Sequence, residues 1–411
     1  MSAEVVNFGC RLNIAEGEAI RSALSDADDI IVINSCAVTS EATRQARQAI
    51  RRAAKARPDA RIVVTGCAAQ IDPTQFLSMA EVSSVIGNRD KRDVTALLGN
   101  GGVSDIFGRF DTLAPVTSGS DHARAFIEVQ NGCDHHCTFC IIPYGRGNSR
   151  SVPAGAVVEA VKAAVARGQQ EVILTGIDLT SYGPDLPGAP SLGQLVERIL
   201  THVPELMRLR LSSLDSIEID DRLFDLITTE PRMMPHVHLS LQSGDDMILK
   251  RMKRRHSRAQ AIDLVERLRS KRPEIAIGAD IIAGFPTETD AMFEGSLKMI
   301  DECDIVFGHI FPYSPRSGTP AALMPQVDRA VVKARAAQLR AATAARRAKW
   351  LGTMIGSTQT VLIELDGQSG HAENFVTVRL ADRLASGNMA GHMIKARITA
   401  SDGNKLSAIP A

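Results

Sequence analysis

No stretch of this 411-residue chain approaches about eighteen uninterrupted apolar residues, so no membrane-spanning helix is expected. Net charge is missing too. Lys and Arg number 47 and Asp and Glu number 47, so an anionic partner must be met by local patches and not by an overall field. The opening residues MSAEVVNFGCRLN lack a basic segment followed by an apolar run, which reads as no signal peptide. Cysteines are few and odd in number: seven, of which six fall into two sets of three. That pattern argues against a disulfide framework and for metal chemistry in a reducing compartment, so a cytoplasmic protein is expected. Hydrophobic content of 44% with 23% charged residues is that of a globular chain, and the length calls for two or three domains.

The stretch that organises the rest is NGCDHHCTFCIIPY, 131–144, which sets Cys133, Cys137 and Cys140 in a C-x3-C-x2-C run. Three thiolates this close can hold three corners of one soft-metal cluster. A four-iron, four-sulfur cluster held that way keeps one iron open for a small ligand. Zinc is the competing reading. Zinc knuckles favour paired C-x2-C units, and His135 and His136 stand at no usual ligand spacing.

Residues 1–107 alternate short apolar runs with helical patterns. Val5–Phe8, Ile30–Ile33 and Ile62–Val64 read as parallel strands of an open α/β sheet. Each is followed by a cysteine: Cys10, Cys36 and Cys67. The carboxyl ends of strands form the ligand edge of such a sheet, so three thiols distant in sequence can converge there. Buried core cysteines are the alternative, but these lie just past the strands, where Gly9 and Gly66 permit tight turns. The helix Ser40–Arg57 is strongly basic, either as a solvated face or as a surface for RNA phosphates.

A polar segment, 108–123, reads as a linker, and 124–349 as six strand–helix units forming an incomplete parallel barrel. The expected strands are Ala125–Val129, Glu171–Leu174, Arg208–Leu211, Val237–Leu241, Ile275–Ile282 and Ile305–Phe311. In such barrels chemistry sits at the carboxyl ends of the strands. Lys250–Arg258 is a second basic cluster, expected near the active face and suited to phosphate. Arg329–Lys349, an acid-free Ala/Arg helix, can bridge domains, touch RNA, or both. Cys303 reads as a buried small hydrophobe, and His122, His136, His256 and His309 show no metal-pair spacing. Residues 350–411 switch to short alternating strands: Thr358–Glu364, Phe375–Leu380, Ile394–Thr399 and a piece near Lys405–Ile409. A small β-barrel follows, charge-balanced and, past Trp350, with Phe375 as its only aromatic, so base stacking there contributes little.

The cysteine run with its flank IIPYGRGNSRS resembles the methylthiotransferase branch of the radical S-adenosylmethionine (SAM) enzymes. HLSLQSGDDMILKRMKRRH, IGADIIAGFPTETDAMF and YSPRSGTPAA resemble further motifs of that family, and FGCRLN, NSCAVT and TGCAAQ its amino-terminal domain. The tail, with GHAENF, looks like a TRAM domain. The resemblance implies two 4Fe-4S clusters and SAM as cofactors. Cys133, Cys137 and Cys140 would hold the catalytic cluster whose open iron binds SAM. Cys10, Cys36 and Cys67 would hold an auxiliary cluster that supplies sulfur. Phe139 matches the position near the adenine of SAM, and Gly176, Ser213, Gln242 and Asp280 match the SAM or substrate pocket. The implied reaction is radical hydrogen removal from carbon followed by methylthiolation, with an electron-donor protein of flavodoxin or ferredoxin type and a sulfur source as partners. CAVTSEA and CIIPYGRG look most like the branch that modifies N6-threonylcarbamoyladenosine beside the tRNA anticodon. The isopentenyladenosine branch, or an aspartate of a ribosomal protein, are the alternatives.

Overall fold

The computed structural model describes residues 3–99, 101–108, 113–115, 122–381 and 389–411. Most of the expected linker lies outside the described residues. The chain forms the expected α/β architecture with a terminal β-barrel. The first unit is a four-stranded parallel sheet in sequential order, Glu4–Asn7, Ile30–Ser35, Arg61–Gly66 and Ser84–Val85. The second and third strands carry the apolar runs Ile30–Ile33 and Ile62–Val64 because helices cover both faces of a parallel sheet. The basic helix Ser40–Ala56 is capped by Thr39 and buries only Ala46, Ala49 and Ile50, which leaves its arginines outside the core.

The second unit is an incomplete parallel barrel. Ala125–Glu128, Glu171–Thr175 and Arg208–Leu211 form one sheet. Ser213–Leu214, His236–Gln242, Ala276–Ala283 and Ile305–Pro312 form the other. The third strand passes from one sheet to the next, so six strands make one curved surface. Val237, Leu239, Leu241, Ala279 and Ile281 pack outward into the main core beneath the helices. The alternating residues His236, His238, Ser240, Gln242, Gly278 and Asp280 therefore face the barrel interior.

The amino end of this barrel is closed by charge. Glu171 is fully buried among Arg124, Arg208 and Arg210, with Arg210 Nε at 3.0 Å and Arg124 Nε at 3.1 Å. Burial opposes ionisation of Glu171, yet the arginines hold its carboxyl down at about 2. The same arginines carry the terminal domain: Arg208 donates to Thr360 O at 2.7 Å, and Arg210 to Ala372 O and Glu373 O at 2.9 and 2.8 Å. That domain is a closed five-stranded barrel of Thr358–Ile363, Ser369–Ala372, Thr377–Leu380, Met393–Ser401 and Leu406–Pro410.

Two expectations for the tail need correction. Ser369–Ala372 is a strand the sequence pattern did not single out, and Phe375 is not in a strand. It sits at φ +70° in the turn before Thr377, the left-handed region outside the extended backbone of a strand. Its ring is turned into the protein against His236 and His371, at 5.1 and 4.9 Å between centroids. The acid-free helix Arg329–Gly352 bridges domains: Arg347 donates to Val306 O at 2.9 Å and to Asn404 Oδ1 at 2.6 Å.

Candidate functional site

Cys133, Cys137 and Cys140 lie in a loop at the carboxyl ends of the barrel strands. Its shape is fixed by main-chain bonds from Cys133 N to Gly147 O, 3.1 Å, and from Cys140 N to Cys137 O, 3.0 Å. Thr138 ties the loop to its surroundings, taking Met252 O through its N–H at 3.1 Å and Arg251 O through its hydroxyl at 2.8 Å. Buried Gln130 joins the loop to the second strand: its Oε1 accepts from Ile177 N and Asp178 N at 3.0 and 2.9 Å, and its Nε2 donates to Gly132 O at 2.7 Å. Gly176 makes this possible, since a Cβ there would stand 2.9 Å from Gln130 Oε1 and 3.1 Å from Gln130 O.

The thiol environment is hostile to a bare thiolate. Burial pushes Cys140 up to about 12 and raises Cys133 further, with Asp178 adding to it. A bound cation would offset that burial cost and let Cys133 and Cys140 carry charge. Arg254 Nη1 lies 3.7 Å from Cys137 Sγ, and it also donates to Asp215 at 2.9 Å. His135, inside the run, bonds Asp178 at 2.9 Å and lies 3.7 Å from Glu218; bonds to these two acids hold it up at about 10. Arg251, Arg254, Arg255 and Arg258 are thus engaged by protein groups. Asp215, Glu218 and Glu302 balance three of these charges, whereas Arg251, among the described residues, meets only the neutral Thr287.

The second trio forms on the first sheet. Cys10 caps the helix Arg11–Ala23, Cys36 follows the second strand, and Cys67 opens the helix Cys67–Ile71. A Cβ on Gly9 would stand 2.6 Å from Cys36 Sγ, so the close approach of the backbone before Cys10 to Cys36 requires glycine at φ +91°. Cys36 is raised to about 12 by burial and then by Cys67. Among the described residues, the groups whose donor atoms all lie within 4.8 Å of one another are His238/Asp280/His309 and His135/Asp215/Glu218; neither cysteine trio is that tight. Tetrahedral sulfurs on one zinc at about 2.3 Å would stand about 3.8 Å apart. Wider trios of soft donors, each lacking a fourth protein thiolate, fit four-iron, four-sulfur clusters instead.

One arginine joins the two trios. Arg146, six residues past Cys140, is fully buried and donates through Nε to Cys67 Sγ at 3.2 Å. Its Nη atoms reach Glu16 at 2.7 and 2.8 Å and also Asn13. Glu16 in turn holds buried Lys91 at 2.5 Å. Burial pulls Lys91 down to about 8, while burial of Glu16 is overcome by Arg146 and Lys91, which keep it ionised. Gly145 lets the segment close on Cys67, whose Cβ would be 3.1 Å from an added methyl. Sequence reading missed Arg146, Glu16 and Lys91. Nothing in their spacing marked them, since the three meet only when the sheet docks on the barrel.

The other expected pocket residues are dispersed. Phe139 packs with Ile248, Met252, Ile282 and Phe285, edge-on to Phe285 at 6.3 Å. Gln242 ends its strand at φ +66°, an αL residue beside a register shift. Ser213 is exposed. Asp280 lies deeper in the barrel: His238 Nε2 and His309 Nδ1 stand 3.0 and 3.2 Å from its Oδ1, and the two imidazoles keep its carboxyl far below the usual range despite burial. His309, assigned nothing from sequence, therefore belongs to an inward cluster. Cys303 is buried as expected.

A cavity of about 640 Å³ opens between the sheet domain and the barrel. Arg44, Arg47, Arg51 and Arg316 line it, along with Ala37, Ala68 and Ile141, the residues that follow Cys36, Cys67 and Cys140. One face of the basic helix thus looks onto the ground between the two trios.

An incomplete barrel bearing a three-thiolate loop at its strand ends defines a SAM-cleaving iron–sulfur enzyme, and residues 127–300 match the Radical SAM superfamily. Residues 2–87 match the Uncharacterized protein family UPF0004. A protein of Rickettsia prowazekii (strain Madrid E), named Threonylcarbamoyladenosine tRNA methylthiotransferase MtaB, is 51% identical over 397 residues, covering 94% of this chain and 93% of its own. A protein of that name from Bacillus subtilis (strain 168) is 34% identical, covering 81% and 78%. A tRNA-2-methylthio-N(6)-dimethylallyladenosine synthase of Erythrobacter litoralis is 32% identical, covering 89% and 86%. The chain belongs to the radical SAM methylthiotransferase family. Among solved structures, the radical SAM methyltransferase TsrM of Kitasatospora setae shares the fold at TM-score 0.55 and 14% identity, over 79% of this chain and 77% of that one.

The cofactors of the family are SAM and two 4Fe-4S clusters, which when bound supply radical and sulfur chemistry that side chains cannot. The residues of this chain orient and enclose. Gln130 and Thr138 hold the cysteine loop, Arg146 sets positive charge beside the second trio, and Phe139 anchors the loop before Cys140 in an apolar cluster with Phe285. Among the described residues no helix is long and apolar enough to cross a membrane.

Proposed function

We propose that this enzyme adds a methylthio group to C2 of N6-threonylcarbamoyladenosine at position 37 of tRNA, beside the anticodon. The observation that carries this is the arginine-lined cavity between the two cysteine trios, where an RNA backbone can be held while one base reaches both. The likeness to proteins named for that substrate supports it. Cys133, Cys137 and Cys140 take the catalytic cluster in this reading, and Cys10, Cys36 and Cys67 the auxiliary one. An electron donor of flavodoxin or ferredoxin type, a sulfur source and a cytoplasmic location belong to the same proposal.

Nucleoside mass spectrometry of total tRNA from cells with and without the gene tests it. Loss of 2-methylthio-N6-threonylcarbamoyladenosine alone is expected. Loss of the isopentenyl analogue instead, or no change in any tRNA nucleoside, would refute the substrate assignment.

A further inference from the structure

The floor of the barrel interior holds more positive charge than its acids balance. Arg11, the residue after Cys10, points past the first sheet into the barrel, where its guanidinium lies 4.9 Å from the centre of the Phe375 ring. Arg210 lies 5.0 Å from the same ring, but it is spent on Glu171 and two main-chain carbonyls. Arg11 has no such partner: among the described residues it makes no hydrogen bond or ion pair. A half-buried guanidinium without an acceptor is costly, and a ligand anion would relieve that cost.

The adjoining wall is built for hydrogen bonding. His238 and His309 converge on one oxygen of Asp280, with their rings 4.4 Å apart. The His309 side chain is 62% exposed, so its second nitrogen is open to a ligand. His236, on the strand of His238, shares the Phe375 ring with Arg11, the imidazole centre at 5.1 Å and the guanidinium at 4.9 Å, and it is held well below its usual range by burial, then by the charges of Arg210, His238, Arg11 and His309. His236 also stacks on Phe375, which closes the floor. Up the same wall Phe311 stands two residues beyond His309, about 7 Å along the strand, and packs in one cluster with Phe139 next to Cys140. That cluster connects the cysteine loop to the wall that bears His309.

We propose that Arg11 with the His238–Asp280–His309 cluster forms a subsite for a carboxylate-bearing substituent on the target base, with the carboxylate on Arg11 and a neighbouring hydroxyl or amide on His309. This rests on the reading of the substrate as N6-threonylcarbamoyladenosine, whose substituent carries those groups. A purely apolar substituent would leave Arg11 desolvated and unpaired, so the same residues discriminate against it. SAM also carries a carboxylate, and the test must separate the two sources.

Anaerobic equilibrium binding and steady-state kinetics on Arg11→Gln, Arg11→Lys and His309→Ala separate them. Each variant is measured for SAM and for tRNA with N6-threonylcarbamoyladenosine or unmodified adenosine at position 37. Arg11→Gln is expected to lose roughly tenfold or more of the preference for the modified tRNA, through KM and Kd, with SAM affinity kept. Arg11→Lys restores most of it, and His309→Ala loses a smaller part. Iron content checks that the clusters load. Should Arg11→Gln fail to load beside Cys10, the His309→Ala preference decides. An unchanged preference, or a loss that falls on SAM, overturns the subsite. A wild-type enzyme with no preference for the modified tRNA overturns the substrate reading and the subsite with it, whereas preference in the wild type and equally in the variants sinks the subsite alone.

Discussion

Replacing Arg146 with Met removes the cation that joins the sheet domain to the barrel while keeping much of the side-chain volume. Arg146 is fully buried and satisfies Glu16, Asn13 and the Cys67 sulfur. Breaking a buried ion pair from one side costs about 3–5 kcal/mol because the other charge stays behind. Here Glu16 keeps Lys91 at 2.5 Å and Arg92 at 3.4 Å, so the cost falls at the low end, about 3 kcal/mol. For a unit of about 100 residues that lowers the unfolding midpoint by roughly 15 °C. Thermal unfolding of the metal-free chain under reductant, followed by circular dichroism, measures it without involving the cofactors. Glu16→Gln alone breaks the same Arg146 contact and also takes the carboxylate from buried Lys91, so the two losses share one pair and Arg146→Met with Glu16→Gln is expected to lose less than the sum of the single losses. A midpoint unchanged in Arg146→Met, or a double variant that loses the sum of both single losses, would refute the reasoning.

Other consequences are equally measurable. Glu171 is held at about 2 in the folded protein, below its ordinary value, so its contribution is present above about pH 4.3 and is lost as pH falls toward 2; roughly 3 kcal/mol of acid sensitivity is expected, and an acid-unfolding profile unchanged in Glu171→Gln refutes it. Gly9→Ala places a methyl 2.6 Å from Cys36 Sγ at φ +91°, so anaerobically reconstituted protein should lose about half its iron; full iron content contradicts the close approach. Charge reversal of Arg44, Arg47 and Arg51 should weaken tRNA binding and flatten its logarithmic salt dependence by roughly two to three, whereas an unchanged salt slope removes the helix from the RNA surface.

Reading the strands from sequence worked where burial leaves a local trace. Ile30–Ile33 and Ile62–Val64 are apolar runs because helices cover both faces, and a cysteine follows each three residues on. The cysteine loop was legible for a stronger reason: three soft donors within eight residues have few other uses. Phe375 was misread because a left-handed turn residue before a strand has no periodicity to betray it. The acids that pair with Arg254, Arg255 and Arg258, namely Asp215, Glu218 and Glu302, were not legible because a charge run does not announce partners on other elements.

By itself, then, the sequence determined the order of the three units, the two cysteine trios and the chemistry that soft donors at strand ends imply, since these depend on local pattern and residue type. Tertiary structure alone decided what surrounds them: Arg146 on Cys67, Glu171 inside its arginines, Arg11 over Phe375, and His309 beside Asp280. Each pairs groups between 29 and 364 residues apart in sequence. Such pairs form only when separately stable elements dock and shed water together, so no window of sequence contains the free energy that selects them.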